Sequence, residues 1–283
     1  MKPFHPGHYA IHGPSSDAPV IETVQDWRIH APPKNECDWR PGYSAHETAS
    51  SWILASETPS RLPTAIESVF SSSSDLDSFV ATCAVPEWKT PLDLGPSGQV
   101  DRGPRNHDVL LFGHTKLARV VVGLEAKTDE PFDRLIGLRL AQAERTLSAK
   151  KGRGTDFIER VQRLSRGVFG RPVVSVAGDV LEEDAGLAWL PFQFLSGIAG
   201  TLREASRQEA GLGVFLVHHF TAPGMWVDSA VQNRLRFDLF CKELGCGAVD
   251  GDGLIGPISV PGGQWVPAVP LFVDGFKREA NRV

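Results

Sequence analysis

The segment Gly213–His219, read Gly-Val-Phe-Leu-Val-His-His, places the tightest limit on what this chain can fold into. Successive side chains of a strand point to opposite faces of its sheet. A run that is apolar at odd and even positions alike must therefore be covered on both sides, the situation of strands sandwiched between helices. A second such run, Val120–Leu124, sits inside a valine-rich strand over Leu117–Lys127. Between the two, apolar residues recur at helical spacing through Leu135, Leu138, Ala141 and Leu147, and further helices are expected over 156–166 and 192–208. A helical crossover returns the chain parallel to the strand it left. The expected class is α/β, a mixed central sheet flanked by helices, with 213–219 parallel to 117–127.

Other signals fill in the order. His107–Phe112 reads as a short apolar strand and Gly113–Lys116 as a turn, so 107–112 and 117–127 form an antiparallel hairpin. Ser44 with Glu47 three residues later makes a capping box before the apolar Ala49, Trp52 and Ile53. A short helix is expected over 61–70. Residues 84–107, rich in proline and glycine, read as a loop. A helix around 228–243 and two short strands, near 257–260 and 268–273, close the chain. Residues 1–40 form an N-terminal arm with an extended stretch around Val20–His30, and 41–283 form one domain. The arm's His5, His8 and His12 read as metal ligands or as a polar surface segment.

Bulk properties exclude some roles. A net charge of −5 gives no global basic field, which argues against coating DNA but not against cutting it. No window approaches the roughly 18 apolar residues that span a bilayer, so no membrane partner is expected. The N-terminal stretch MKPFHPGHYAIHG lacks the apolar core of a secretory signal. The four cysteines, Cys37, Cys83, Cys241 and Cys246, then read as reduced thiols in the cytoplasm. Cys241 and Cys246, five apart, do not face each other on a helix and make a poor zinc site.

The chemistry concentrates in Pro104-Arg-Asn-His-Asp108 and Glu125-Ala-Lys127. On a strand Glu125 and Lys127 share a face. Charges that end an apolar run are costly unless they lie at an edge or serve a site. Asp108 belongs to the neighbouring strand. Two carboxylates from adjacent strands, with a backbone carbonyl between them, suit Mg²⁺ or Mn²⁺, and a lysine beside such an ion can orient an attacking water. A tight turn at His114–Thr115 would set Asp108 opposite Val121, too far from Glu125. The site thus requires a looser turn, roughly Gly113–Arg119, or diverging strands. The competing reading makes Glu125 and Lys127 a surface ion pair and Asp108 a strand-start residue.

This arrangement resembles the PD-(D/E)XK, or restriction-endonuclease-like, nuclease superfamily. Asp108 matches the first acid, Glu125 the second and Lys127 the lysine. The stretches VVVGLEAKTDEPFD (120–133), FQFLSGIAGTLREA and VFLVHHF are similar to a bacterial branch of it. The resemblance implies an αβββαβ core with the N-terminal arm and C-terminal additions, and metal-dependent hydrolysis of DNA, with a homodimer as one assembly such enzymes use. Asp108 and Glu125 would hold Mg or Mn. Gln193 resembles a glutamine that some members place near the site, against a helix-surface amide. Glu47 either caps its helix or faces the metal, and Glu130 either joins the acids or favours a helix start. Lys151 and Arg153, with the row Arg160, Arg163 and Arg166, either border the groove and touch phosphate or form a solvated face. The alternatives to a nuclease are a non-catalytic nucleic-acid-binding or assembly module of the same fold, and a pocket for another anionic small molecule.

Overall fold

A computed structural model describes residues 9–15, 17–92, 104–128, 130–149, 157–173, 186–221, 227–246, 257–260 and 268–274. Among them six strands form one sheet in sequential order: β1 (Ala10–Ile11), β2 (Val80–Thr90), β3 (Arg105–His114), β4 (Arg119–Lys127), β5 (Leu212–His219) and β6 (Ala268–Asp274). β3 is antiparallel to both its neighbours, β2 and β4, whereas β4, β5 and β6 run parallel, and β1 lies parallel to β2. The sheet is mixed and the class α/β.

Helices α1 (Val24–His30), α2 (Ser44–Ser56) and α3 (Thr64–Ser72) precede β2; α4 (Ile136–Ala149), α5 (Phe157–Phe169) and α6 (Phe192–Arg207) fill the crossover from β4 to β5; α7 (Val227–Glu243) joins β5 to β6. The two sets cover opposite faces. On one, Trp27, Ala49, Trp52, Ile66 and Phe70 pack with Val120, Val122, Leu124 and Ala126 of β4 and Val214 and Leu216 of β5. On the other, Leu140, Val161, Leu164, Phe194, Ile198 and Phe240 pack with Phe215 and Val217. All eight residues of β5 are buried, as a strand apolar on both faces requires.

Three expectations fail. Val20–His30 is not extended: Thr23 accepts the Asp26 N–H, the Asp26 carboxylate takes the Thr23 N–H, and this reciprocal cap starts α1. Residues 84–107 are not all loop, since β2 runs to Thr90 and β3 begins at Arg105. Pro86 disguises β2, because proline removes a ladder donor. It is tolerated because β1 pairs with β2 only at Cys83 and Ala84, leaving that edge open at Pro86. At the near end, residue 258 makes only an isolated bridge, so no strand forms at 257–260. The N-terminal arm is partly structural: Ile11, Ile21, Trp27 and Ala31 are core residues.

Candidate active site

The β3–β4 hairpin fixes the first two acids. His114 pairs with Arg119 and Val109 with Leu124, so the turn is Thr115–Ala118, the looser one the site needs. Thr115 holds it: its N–H donates to the Ala118 carbonyl at 2.8 Å, and its hydroxyl accepts from Leu117 and Ala118. Continued by one rung, this register sets Asp108 level with Glu125. The ladder instead closes with a side chain, as Asp108 Oδ2 accepts the Ala126 N–H at 2.6 Å.

Glu125 is the centre of the site. Its Oε1 accepts from Lys127 Nζ at 2.7 Å and from Gln193 Nε2 at 2.7 Å, and its Oε2 accepts from Arg105 Nη2. Glu125 is 2% exposed and Lys127 7%, so this is a buried cluster and not a surface ion pair. Gln193, in the first turn of α6, also accepts the Asp133 N–H through Oε1 at 2.7 Å, tying the start of the crossover to the acid. Two glycines let α6 lie this close. A Cβ on Gly123 would sit 2.0 Å from Thr201 Oγ1, and one on Gly200 would sit 2.7 Å from Arg105 Cγ.

The charges perturb one another in opposite directions. Burial, then the repulsion of Glu125, pushes the Asp108 carboxyl up to about 8. Burial alone would raise Glu125 too, but Lys127 and Arg105 overcome it and hold that carboxyl below its usual value. Burial would lower the Lys127 ammonium, yet Glu125, Asp108 and Glu130 together raise it.

Three neighbours escaped the sequence reading. Arg105 stands in the stretch that contains Asp108, but its partner could be known only from the pairing of strands. Glu87 is the second: it falls opposite Asp108 on β2, between the rungs Pro86–Val109 and Trp88–His107. Its backbone is left-handed, at φ 51°. That costs a residue with a Cβ roughly 1–2 kcal/mol. Asn106 Nδ2 donates to its carboxylate, whose pKa burial raises, and Glu87 adds to the repulsion at Asp108. His107 is the third, fully buried under Gly200 with neither ring nitrogen hydrogen-bonded among the described residues.

The remaining expected residues divide. Glu130 folds onto Thr128, accepting from its N–H at 3.2 Å and from its hydroxyl, and acts on Lys127 through its charge. Glu47 stands in the first turn of α2, whose Ala49 and Trp52 pack on the Ala126 side of the sheet. Its carboxylate accepts the Gly42 N–H at 2.6 Å, just before the helix; the expected Ser44–Glu47 capping box does not form, since Ser44 is the first helical residue and the cap, Tyr43, makes no side-chain hydrogen bond. Arg160 stacks 5.6 Å over Phe192, the residue before Gln193, and Arg139, paired with Asp133, lies 4.8 Å over the same ring. Arg163 pairs instead with Glu159 one turn away. Lys151 and Arg153 lie outside the described residues.

Among the described residues no helix is long and apolar enough to cross a membrane, and no group of three or more His, Cys, Asp or Glu side chains is arranged to hold a metal ion. The four cysteines are free thiols. No curated protein and no solved structure matches the chain. A family model described as a domain of unknown function, DUF6946, matches residues 20–266, and the chain belongs to that family.

Proposed function

We propose that this protein hydrolyses phosphodiester bonds of DNA with Mg²⁺ or Mn²⁺, at a site of the PD-(D/E)XK type formed by Asp108, Glu125 and Lys127. The observation that carries this reading is the buried Glu125 carboxylate, shared by Lys127 and Gln193 at the end of β4 and one rung beyond the paired residues of β3. The order of elements supports it: helices, three antiparallel strands, a helical crossover ending in α6, and a parallel strand. Asp108 and Glu125 supply oxygen donors of the type a hard cation takes. Asp108 has one oxygen fixed by Ala126 and no hydrogen bond to its other oxygen among the described residues. Glu125 has a cation beside each oxygen, Arg105 and Lys127, which an incoming ion would have to share or displace.

In this reading Asp108 and Glu125 hold the ion, Gln193 keeps Glu125 oriented, and the Lys127 ammonium orients the attacking water. An ion held there would supply Lewis-acid chemistry, making that water more acidic and offsetting charge on the phosphoryl oxygen. DNA would approach over Arg139 and Arg160, whose stacked guanidinium groups can meet phosphates.

One observation favours a second reading, a non-catalytic nucleic-acid-binding module of this fold. Glu125 is neutralised by Arg105 and Lys127 without any metal. Cleavage assays on single-stranded, duplex and branched DNA with Mg²⁺ or Mn²⁺ decide between the two. For wild type, Lys127→Ala should lower turnover by roughly two to four orders of magnitude and Asp108→Ala should abolish ion binding as well. Folded, ion-loaded wild type that leaves all three substrates intact would select the second reading.

A further inference from the structure

Arg105 has more donor capacity than the protein uses. It is 7% exposed, gives Nη2 to Glu125 Oε2, and keeps a buried Nε with no hydrogen-bond partner among the described residues. Native interiors retain few such groups, and each calls for an explanation. Its stem is pinned under α6 at Gly200, so movement is confined to the guanidinium. That head shares one carboxylate with Lys127, so two cations converge on Glu125 while Asp108 is met by a backbone N–H. A guanidinium is a planar fork that grips phosphate oxygens as readily as carboxylate oxygens.

We propose that Arg105 is the residue that receives the substrate's phosphodiester oxygens, and that in the ion-free protein it is parked on Glu125. This rests on the phosphodiesterase reading and adds a residue to it. When a divalent ion occupies Glu125, the guanidinium loses its carboxylate and turns its fork to the phosphate held at the same ion. Arg105 therefore opposes ion binding and favours nucleic-acid binding, two effects of opposite sign that a merely structural arginine does not produce.

The test measures both quantities separately: Mn²⁺ affinity by titration calorimetry without DNA, and affinity for a labelled duplex oligonucleotide by fluorescence anisotropy in Ca²⁺. Arg105→Ala should bind Mn²⁺ about tenfold more tightly and the oligonucleotide about tenfold more weakly, the scale of one charge-assisted hydrogen bond. Arg105→Lys keeps the charge without the fork, so it should restore wild-type Mn²⁺ affinity while oligonucleotide binding stays weak. Circular dichroism identifies any variant that fails to fold, and the lysine variant carries the test if the alanine variant does not. Unchanged oligonucleotide binding in a folded variant, or loss of both affinities together, overturns the role of Arg105. Wild type that binds no Mn²⁺ removes the phosphodiesterase reading itself, a result distinct from a wild type and variant that bind the ion equally.

Discussion

The two faces of β4 follow different rules although their residues alternate along one strand. Toward α2 the strand presents Val120, Val122, Leu124 and Ala126, apolar to its end and packed on Ala49 and Trp52. Toward α6 it presents Val121, then Gly123, then Glu125 and Lys127, so the side chains pass from apolar, through none, to charged. The first face is a closed core whose value lies in excluded water. The second is a core only at its start. Beyond Gly123 the helix comes near enough for Gln193 to hold the acid, and polar contacts replace packing. A single strand thus carries a closed apolar core on one side and the candidate site on the other, and changes to the two faces should separate.

Trp52→Ala should have the largest effect on stability. Trp52 is fully buried, and its truncation should cost about 3–5 kcal/mol in urea unfolding while Mn²⁺ affinity stays at the wild-type value. Loss of ion affinity in a folded Trp52 variant would break the separation of the faces. Gly200→Ala tests the other side, where a Cβ would lie 2.7 Å from Arg105 Cγ and 2.9 Å from His107 Nε2. Overpacking there should cost about 1–3 kcal/mol in the same experiment. By displacing Arg105 it should also alter ion binding, and an unchanged Mn²⁺ titration would show that α6 does not position the cluster.

The third comparison is in the pH dependence. Asp108 has a raised folded-state pKa, about 8, so its contribution to stability is complete below the usual carboxyl pKa and is lost as pH rises toward 8. Glu125, held low by Lys127 and Arg105, behaves oppositely and loses its contribution only in acid. Without divalent ions, urea midpoints of wild type should fall between pH 5 and pH 9, a range set by the usual carboxyl value of about 4 and the raised one. Asp108→Asn should flatten that slope, and equal slopes in the two proteins would mean that Asp108 is not proton-linked.

Sequence reasoning reached the sheet and the candidate site through strand geometry. Runs apolar at every position mark β4 and β5 as strands covered on both sides, the spacing of two puts Glu125 and Lys127 on one face, and the parallel return of β5 follows from the helices between. Gln193 was readable only through family resemblance, because nothing local marks an amide as an acid's partner. Glu87 was not readable at all. Pro86 hides its strand, and its place beside Asp108 is a matter of pairing between β2 and β3, which no single segment encodes. The reciprocal cap at Thr23 and Asp26 was present in the sequence, and the extended reading of Val20–His30 overlooked it.

The turn Thr115–Ala118 has a consequence for tolerance to change. It lies six rungs from Asp108, a separation of about 20 Å at the usual rise per residue. Lys116 and Leu117 can be exchanged freely by that argument, and Leu117 is 90% exposed. Their number cannot. Removing one residue would slide β3 against β4 by a single step and exchange the two faces of one strand, so the core's valines would trade places with the acid and the lysine. The hairpin tip thus acts as a spacer, indifferent to spelling and intolerant of length.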